Sequence, residues 1–271
     1  MKNPESLYSF SPTRSCAAAE TITFAASARW DADPNRLSWL HDQGLSVEYT
    51  PDAQQLERIK PCLSQHLEKG VAVRHHAYFP GYEIGDARAS NAREAMELHL
   101  HYLDLIQGIG EPHVTVHIGL NPDQAVDHET AVANLTRLVS HGRARGITVS
   151  LENLRFGPTS NPSRLVNWAA RGGAGITLDI GHACSSQAVM AEGVSITEIV
   201  DMVGYGLNEI HLYEKETDVH HAPVDMSIIG PAIDRVMQTD CTWWTIELDS
   251  YQEILHTRSI VKEHLCRTQP A

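Results

Sequence analysis

The chain has 271 residues, 20% charged and 42% hydrophobic, with 21 Lys and Arg against 34 Asp and Glu. The resulting charge of −13 argues against a general nucleic-acid binder and against an anionic membrane surface, since both are held by clustered cations. The composition is that of a folded globular protein, and its two unusual quantities, the acidic excess and 16 histidines, point together toward metal. Residues 1–20 carry no apolar run behind Lys2, so they read as an irregular arm and not as a secretory signal, with one domain over residues 21–271. No stretch approaches the ~18 apolar residues of a membrane helix. Cys16, Cys62, Cys184, Cys241 and Cys266 are scattered and form no CxxC, which favours a reducing cytoplasm over a disulfide framework or a structural zinc site.

Short β-branched runs then alternate eight times with longer amphipathic segments. The predicted strands are residues 21–27, 45–50, 71–78, 113–119, 147–153, 176–180, 207–214 and 241–249. The predicted helices are residues 34–43, 52–69, 89–109, 128–145, 162–171, 196–205, 228–239 and 251–267. In the third helix Ala92, Ala95, Met96, Leu103 and Ile106 recur at helical spacing and form its buried stripe. Gly44, Gly70, Gly110, Gly146, Gly173 and Gly206 stand where helices should stop. With no linker and no break in composition, the alternation predicts an α/β chain that closes as a single (β/α)8 TIM barrel. An open doubly wound sheet is the alternative, but no GxGxxG follows the first strand.

In such a barrel the chemistry lies at the C-terminal ends of the strands. The third strand ends in Arg74-His75-His76-Ala77-Tyr78, the fourth in Val116-His117-Ile118-Gly119 and the fifth in Leu151-Glu152-Asn153. The sixth gives Leu178-Asp179-Ile180-Gly181-His182. The seventh gives Ile210-His211-Leu212-Tyr213, with Asp218-Val219-His220-His221 in the loop after it, and the eighth gives Ile246-Glu247-Leu248-Asp249. Imidazole and carboxylate suit Zn²⁺ and Mn²⁺ without any thiol. Each has a bland reading as well: a strand carboxylate can be salt-bridged across the barrel, and His117 alone is more often a hydrogen-bonded core histidine. His41, His66, His99, His101, His141, His256 and His264 fall in helical segments and are read as solvated. The case for function is convergence, because Glu, Asp, His and Glu at the ends of strands five to eight meet at one point.

On these residues the chain resembles the xylose isomerase-like, endonuclease IV-like (AP endonuclease family 2) barrel superfamily, including its sugar phosphate isomerase and epimerase group, over about residues 21–265. Each signature is short; their order on successive strands is specific. The resemblance implies one divalent metal (Mn, Mg or Zn) held by Glu152, Asp179, His211 and Glu247. Glu152 and Glu247 would exchange a substrate proton through an enediolate, the metal would bridge two substrate oxygens, and His182 would hold a substrate oxygen. The phosphodiesterase branch of the superfamily implies up to three zinc ions, with His76 (or His75), His117, His182, Asp218 and His220 as further ligands. The loop after Glu152, Asn153-Leu154-Arg155-Phe156-Gly157, lacks the second carboxylate of typical ketose epimerases, which leaves a particular epimerase substrate unsupported.

The expected activity is therefore metal-assisted isomerisation or epimerisation of a small sugar-like substrate, phosphorylated or not, by an enzyme that is a monomer or a homo-oligomer. The alternative is zinc-dependent hydrolysis of a small phosphodiester. DNA fits poorly, since only Arg74, Arg88, Arg155 and Lys215 are candidate cations near the mouth. A Schiff-base aldolase is disfavoured, because of five lysines only Lys215 comes near a strand end. Ser/His/Asp hydrolysis lacks a GxSxG elbow. A non-catalytic metal- or sugar-binding barrel uses the same residue types and stays open. Residues 79–86 and Trp243-Trp244 are candidate substrate walls, the tryptophans alternatively packing on helices, and Tyr213 either binds substrate or packs the barrel.

Overall fold

The computed structural model describes residues 20–268, so the expected arm lies outside the described residues except for Glu20. Eight parallel strands close on themselves: β1 (Thr23–Arg29), β2 (Ser46–Thr50), β3 (Val73–Ala77), β4 (His113–Val116), β5 (Thr148–Glu152), β6 (Gly175–Asp179), β7 (Leu207–Leu212) and β10 (Trp243–Ile246). They pair in chain order, and β10 closes the ring against β1 with Thr23 opposite Trp243 and Ala26 opposite Ile246. Between them run α1 (Arg36–Asp42), α2 (Ile59–Glu68), α3 (Ala89–Ile106), α4 (His128–Arg143), α5 (Pro162–Gly172), α8 (Ile196–Val203) and α9 (Gly230–Val236), and α10 (Tyr251–Thr268) completes the outer layer. The expected single (β/α)8 barrel is the fold. No helix of the described residues is long and apolar enough to cross a membrane.

Local chemistry explains where the helices start. Asp127 accepts the Thr130 amide ahead of α4, and Asn161 accepts the Arg164 amide ahead of α5, whose first residue is Pro162. Ser195 and Glu198 form a reciprocal capping box ahead of α8. That helix ends two residues earlier than expected. Gly204, at φ 54°, terminates it, while Gly206 belongs to the short 3-10 turn that follows. Two further helices, α6 (Ile180–Ser185) and α7 (Gln187–Glu192), and a short hairpin of β8 (Lys215–Glu216) and β9 (His220–His221) occupy segments read as loop. The first of these helices follows β6 directly and packs against the hairpin, which follows β7.

The apolar core is the layer between strands and helices. The predicted stripe of α3 is buried there, and the structure adds His99 and Tyr102 to it. Both His99 and His66 are buried, contrary to the expectation that helical histidines are solvated. Burial pushes the His99 pKa down to about 4, so the ring packs neutral against Phe79 while hydrogen-bonding the Ala95 carbonyl. The inside of the barrel is different in kind. Strand residues alternate faces, and the inward positions include Glu48, Arg74, His76, His113, Thr115, Ser150, Glu152, Thr177, Asp179, Glu209, His211 and Thr245. Their cross-barrel contacts define a polar interior in two layers.

Candidate metal centre

The lower layer is built around Glu209 on β7. Arg74 Nη1 on β3 lies 3.1 Å from Glu209 Oε2 and donates to the Asn208 carbonyl. Thr245 donates to Glu209 Oε1, and His113 Nδ1 lies 3.2 Å from Oε2. His113 Nε2 meets Ser150 Oγ at 2.9 Å, and the Trp243 ring lies under the Arg74 guanidinium at 4.5 Å. Arg74 is thus a floor residue and not a mouth cation. Trp243 belongs to the same floor, while Trp244 is packed against Phe24 and donates to the Cys241 carbonyl. Neither tryptophan is a substrate wall. In residues 79–86, Phe79 and Glu83 are buried too, the Glu83 carboxylate accepting the amides of Gly85 and Gly119 and tying the β3 loop to the β4 loop.

The upper layer lies at the C-terminal ends of the strands. Glu152 and Asp179 are the last residues of β5 and β6, His211 is the penultimate residue of β7, and Glu247 follows β10 directly. All four are buried. His211 Nδ1 stands 3.5 Å from Glu152 Oε2, 3.5 Å from Glu247 Oε2 and 3.8 Å from Asp179 Oδ2, yet it makes no hydrogen bond. A second group adjoins the first. His76 Nε2 is 3.1 Å from His117 Nε2, and Glu152 Oε2 is within 3.3 Å of the former and 3.0 Å of the latter.

The two neighbouring histidines of β3 face opposite ways. His76 points into the barrel; His75 points outward, donates from Nε2 to the Ile109 carbonyl at 2.7 Å and meets the edge of Tyr102. Burial pushes the His75 pKa down to about 4, as suits a neutral packed ring.

A third group stands nearer solvent. His182, in the first turn of α6, presents Nδ1 to Asp179 Oδ2 at 3.2 Å and to the Asn153 carbonyl at 2.9 Å, and presents Nε2 to Glu216 Oε2 at 3.3 Å. His182, Glu216 and His220 converge closely enough to share an ion. Asp218, expected beside His220, is instead exposed in the turn between β8 and β9 and joins none of the clusters. Glu216 stands there in its place. Arg155 holds it, pairing with its carboxylate and donating to the carbonyls of Glu216 and Thr217.

Sequence reasoning missed Glu48, Glu209, Glu216 and Arg36. Glu48 carries the same signal as Glu247, a lone carboxylate between apolar strand neighbours, here Val47 and Tyr49. Arg36 carries no local signal. Its guanidinium donates to the carbonyls of Ser27, Leu248 and Asp249, clamping the end of β1 to the segment that bears Glu247.

Supporting contacts explain two of the motifs. Asp179 caps α6 through the His182 amide at 2.6 Å and accepts the Tyr213 hydroxyl at 3.0 Å. Tyr213 is fully buried and stacks on His220 with ring centroids 4.0 Å apart, so it packs the barrel. Gly181 is required by the same ring: a Cβ there would lie 2.0 Å from Tyr213 Cε2. Asn153 and Asp179 exchange two hydrogen bonds of 2.8 Å, which ties the end of β5 to that of β6.

The charge of the upper layer is carried by carboxylates and imidazoles. Among the described residues, every ion pair of Glu48, Glu152, Asp179 and Glu247 is to a histidine. Burial alone would lower the pKa of His211, but Glu247, Glu48 and Glu152 raise it well above the ordinary value. His76 and His182 respond in the same way to the carboxylates around them. Burial pushes both Glu152 and Glu247 up, but His211 and His117 hold Glu152 well below its ordinary value, while Glu247 stays raised. Buried carboxylates gathered round an imidazole nitrogen without a hydrogen bond fit a divalent cation in ligand type and number. A cation bound there would displace protons from these histidines, since an imidazole must give up a proton to act as a ligand.

Residues 26–265 match the family model described as the xylose isomerase-like TIM barrel, and the chain belongs to that family. Among curated proteins, the uncharacterized protein MJ0008 of Methanocaldococcus jannaschii is 27% identical over 164 residues, which are 60% of this chain and 71% of that protein. Among solved structures, a D-tagatose 3-epimerase-like protein superposes with a TM-score of 0.73 at 17% identity, covering 90% of this chain and 97% of its own. The TTHB071 protein from Thermus thermophilus, soaked with ZnCl2, gives a TM-score of 0.69 at 17% identity over 92% of this chain and 100% of its own. At these identities the likeness is one of fold.

Proposed function

We propose that the protein is a divalent-metal-dependent isomerase or epimerase of a small polyhydroxylated substrate. The observation that carries this reading is the convergence of Glu152, Asp179 and Glu247 on the His211 nitrogen that makes no hydrogen bond. Those four side chains would hold the metal, which supplies Lewis-acid stabilisation of negative charge developing on substrate oxygens. The protein supplies the proton chemistry. Glu152, whose pKa His211 and His117 hold well below the ordinary value, is the proposed base that takes the proton from the carbon beside the carbonyl, and Glu247, whose pKa burial raises, is the group proposed to return one. His182, kept cationic by Asp179, Glu152 and Glu216, offers a hydrogen bond to a substrate oxygen. Sugar-epimerase chemistry on the same fold, as in the D-tagatose 3-epimerase-like neighbour, supports this reading.

The groups His76–His117–Glu152 and His182–Glu216–His220 favour a second reading, hydrolysis of a small phosphodiester by several zinc ions. A long nucleic-acid backbone suits neither reading, because Arg74 lies in the floor and Arg155 is tied to Glu216. Metal analysis of the purified protein, together with deuterium incorporation from D2O into a panel of ketoses followed by NMR, separates the two. About one Mn or Mg per chain with exchange at the carbon beside the carbonyl is expected. Close to three Zn per chain, with phosphodiester hydrolysis and no exchange, would replace the first reading by the second.

A further inference from the structure

Glu48 stands beneath both inner groups, at the centre of β2, with no exposed surface. Its Oε1 is hydrogen-bonded to His211 Nε2 at 3.3 Å, and its Oε2, buried and without a hydrogen bond, lies 3.2 Å from the same nitrogen and 3.4 Å from His76 Nδ1. The opposite nitrogens of these two rings face the candidate ligands. His211 Nδ1 looks toward Glu152, Asp179 and Glu247, and His76 Nε2 toward His117 and Glu152. A neutral imidazole carries one N–H and one lone pair, so whichever nitrogen is given an acceptor leaves the other free to bind metal. An ionised carboxylate can only accept. Glu247 Oε1 also lies 3.6 Å from His76 Nδ1, but that side chain belongs to the ligand set itself, whereas Glu48 reaches the ligands from below.

We propose that Glu48 is the positioning residue for the metal centre: by accepting the N–H of His211 Nε2 through the hydrogen bond present and, once metal is bound, that of His76 Nδ1 through the unpaired Oε2 aimed at it, one buried carboxylate selects the tautomers of ligands in two adjacent groups. The proposal rests on the reading that these groups hold metal. It gives Glu48 a role distinct from ligation, that of an outer partner which fixes ring orientation and raises ligand basicity. It also explains why an acid is needed and an amide will not serve. Both Glu48 oxygens lie within 3.3 Å of His211 Nε2, so a glutamine at this position brings its NH2 against that nitrogen in either orientation, and His211 must then accept there and carry its proton on the nitrogen that faces the metal.

The test titrates metal-free wild type and Glu48→Gln with Zn²⁺ against a competing chelator, and records ¹⁵N-histidine NMR spectra of the zinc-loaded protein. Wild type is expected to show His211 protonated at Nε2 and bound through Nδ1, and His76 the reverse. Glu48→Gln is expected to bind zinc ~10–100-fold more weakly, with one of the two rings in the opposite tautomer. Zinc affinity equal to wild type in Glu48→Gln, or a wild-type His211 bound through Nε2, overturns the role of Glu48 and leaves the metal reading intact. A wild type that takes up none of Zn²⁺, Mn²⁺ and Mg²⁺ overturns the metal reading, and the role of Glu48 with it. If Glu48→Gln does not fold, the wild-type tautomers decide the question alone.

Discussion

The two polar layers inside the barrel use the same kinds of residue to opposite ends. In the lower layer Glu209 is met by the guanidinium of Arg74, so its charge is balanced within the protein. In the upper layer the ion pairs of Glu152, Asp179 and Glu247, and of Glu48 beneath them, are among the described residues all with histidines, which must give up a proton before they can act as ligands. What marks a site inside a barrel is thus not buried charge as such. It is buried charge of one sign, compensated by groups that can release their protons, at the end where the strands open. The lower layer is a closed network in the floor; the upper one is arranged to exchange protons for a cation.

Substitutions in the two layers should therefore fail in different ways. The largest effect is expected for Glu152→Gln, which removes both a ligand and the proposed base. Turnover should fall by ~10²–10⁴-fold or more, and metal uptake with it, while the metal-free protein still melts cooperatively. Normal metal content and full activity in that variant would erase the distinction between the layers.

Next is Arg74→Met in the floor, which strands the Glu209 carboxylate. Burial and the nearby Glu48 already raise the Glu209 pKa to about 7, against the opposing pull of Arg74. A carboxyl whose folded pKa is raised is tolerated in its protonated form below its unfolded value near 4.5, and loses stability as pH rises through about 7. The variant should consequently lose about 3–5 kcal/mol at pH 8 and much less at pH 5, as read from denaturant melts. Its zinc affinity should stay at the wild-type level.

The smallest effect concerns the metal-free wild type. His76, His182 and His211 have pKa values raised well above 6.5, so their pairing with carboxylates is complete below that pH and is lost as pH climbs through the raised values. The metal-free melting temperature should fall as pH rises above about 6.5, and added metal should reverse the fall with release of protons. A flat profile without metal would mean that these histidines hold no protons for a cation to displace.

Some of this was legible in the chain itself. Periodicity that switches between short β-branched runs and amphipathic stretches specifies strand and helix locally, so the barrel followed from the alternation alone. Glu152, Asp179, His211 and Glu247 were legible because strand ends converge in a closed parallel barrel, whatever the loops do. The glycine cap after α8 was misplaced by two residues because Gly204 and Gly206 look alike until one of them adopts a positive φ.

What required the tertiary structure was facing and cross-barrel partnership. Sequence placed His75 and His76 side by side, but a strand turns neighbours to opposite faces, and only closure of the sheet decided which face was inside. Glu48 is far from His211 in the chain, and their contact exists because β2 and β7 face each other across the barrel. The exchange of Asp218 for Glu216 beside His182 came from the β8–β9 hairpin, whose register against α6 is set by packing and by Arg155 and not by any local pattern. Local propensity acts along the chain and so determined the elements. Ligand geometry depends on side chains brought together from different strands, and only their packing around a common axis decided it.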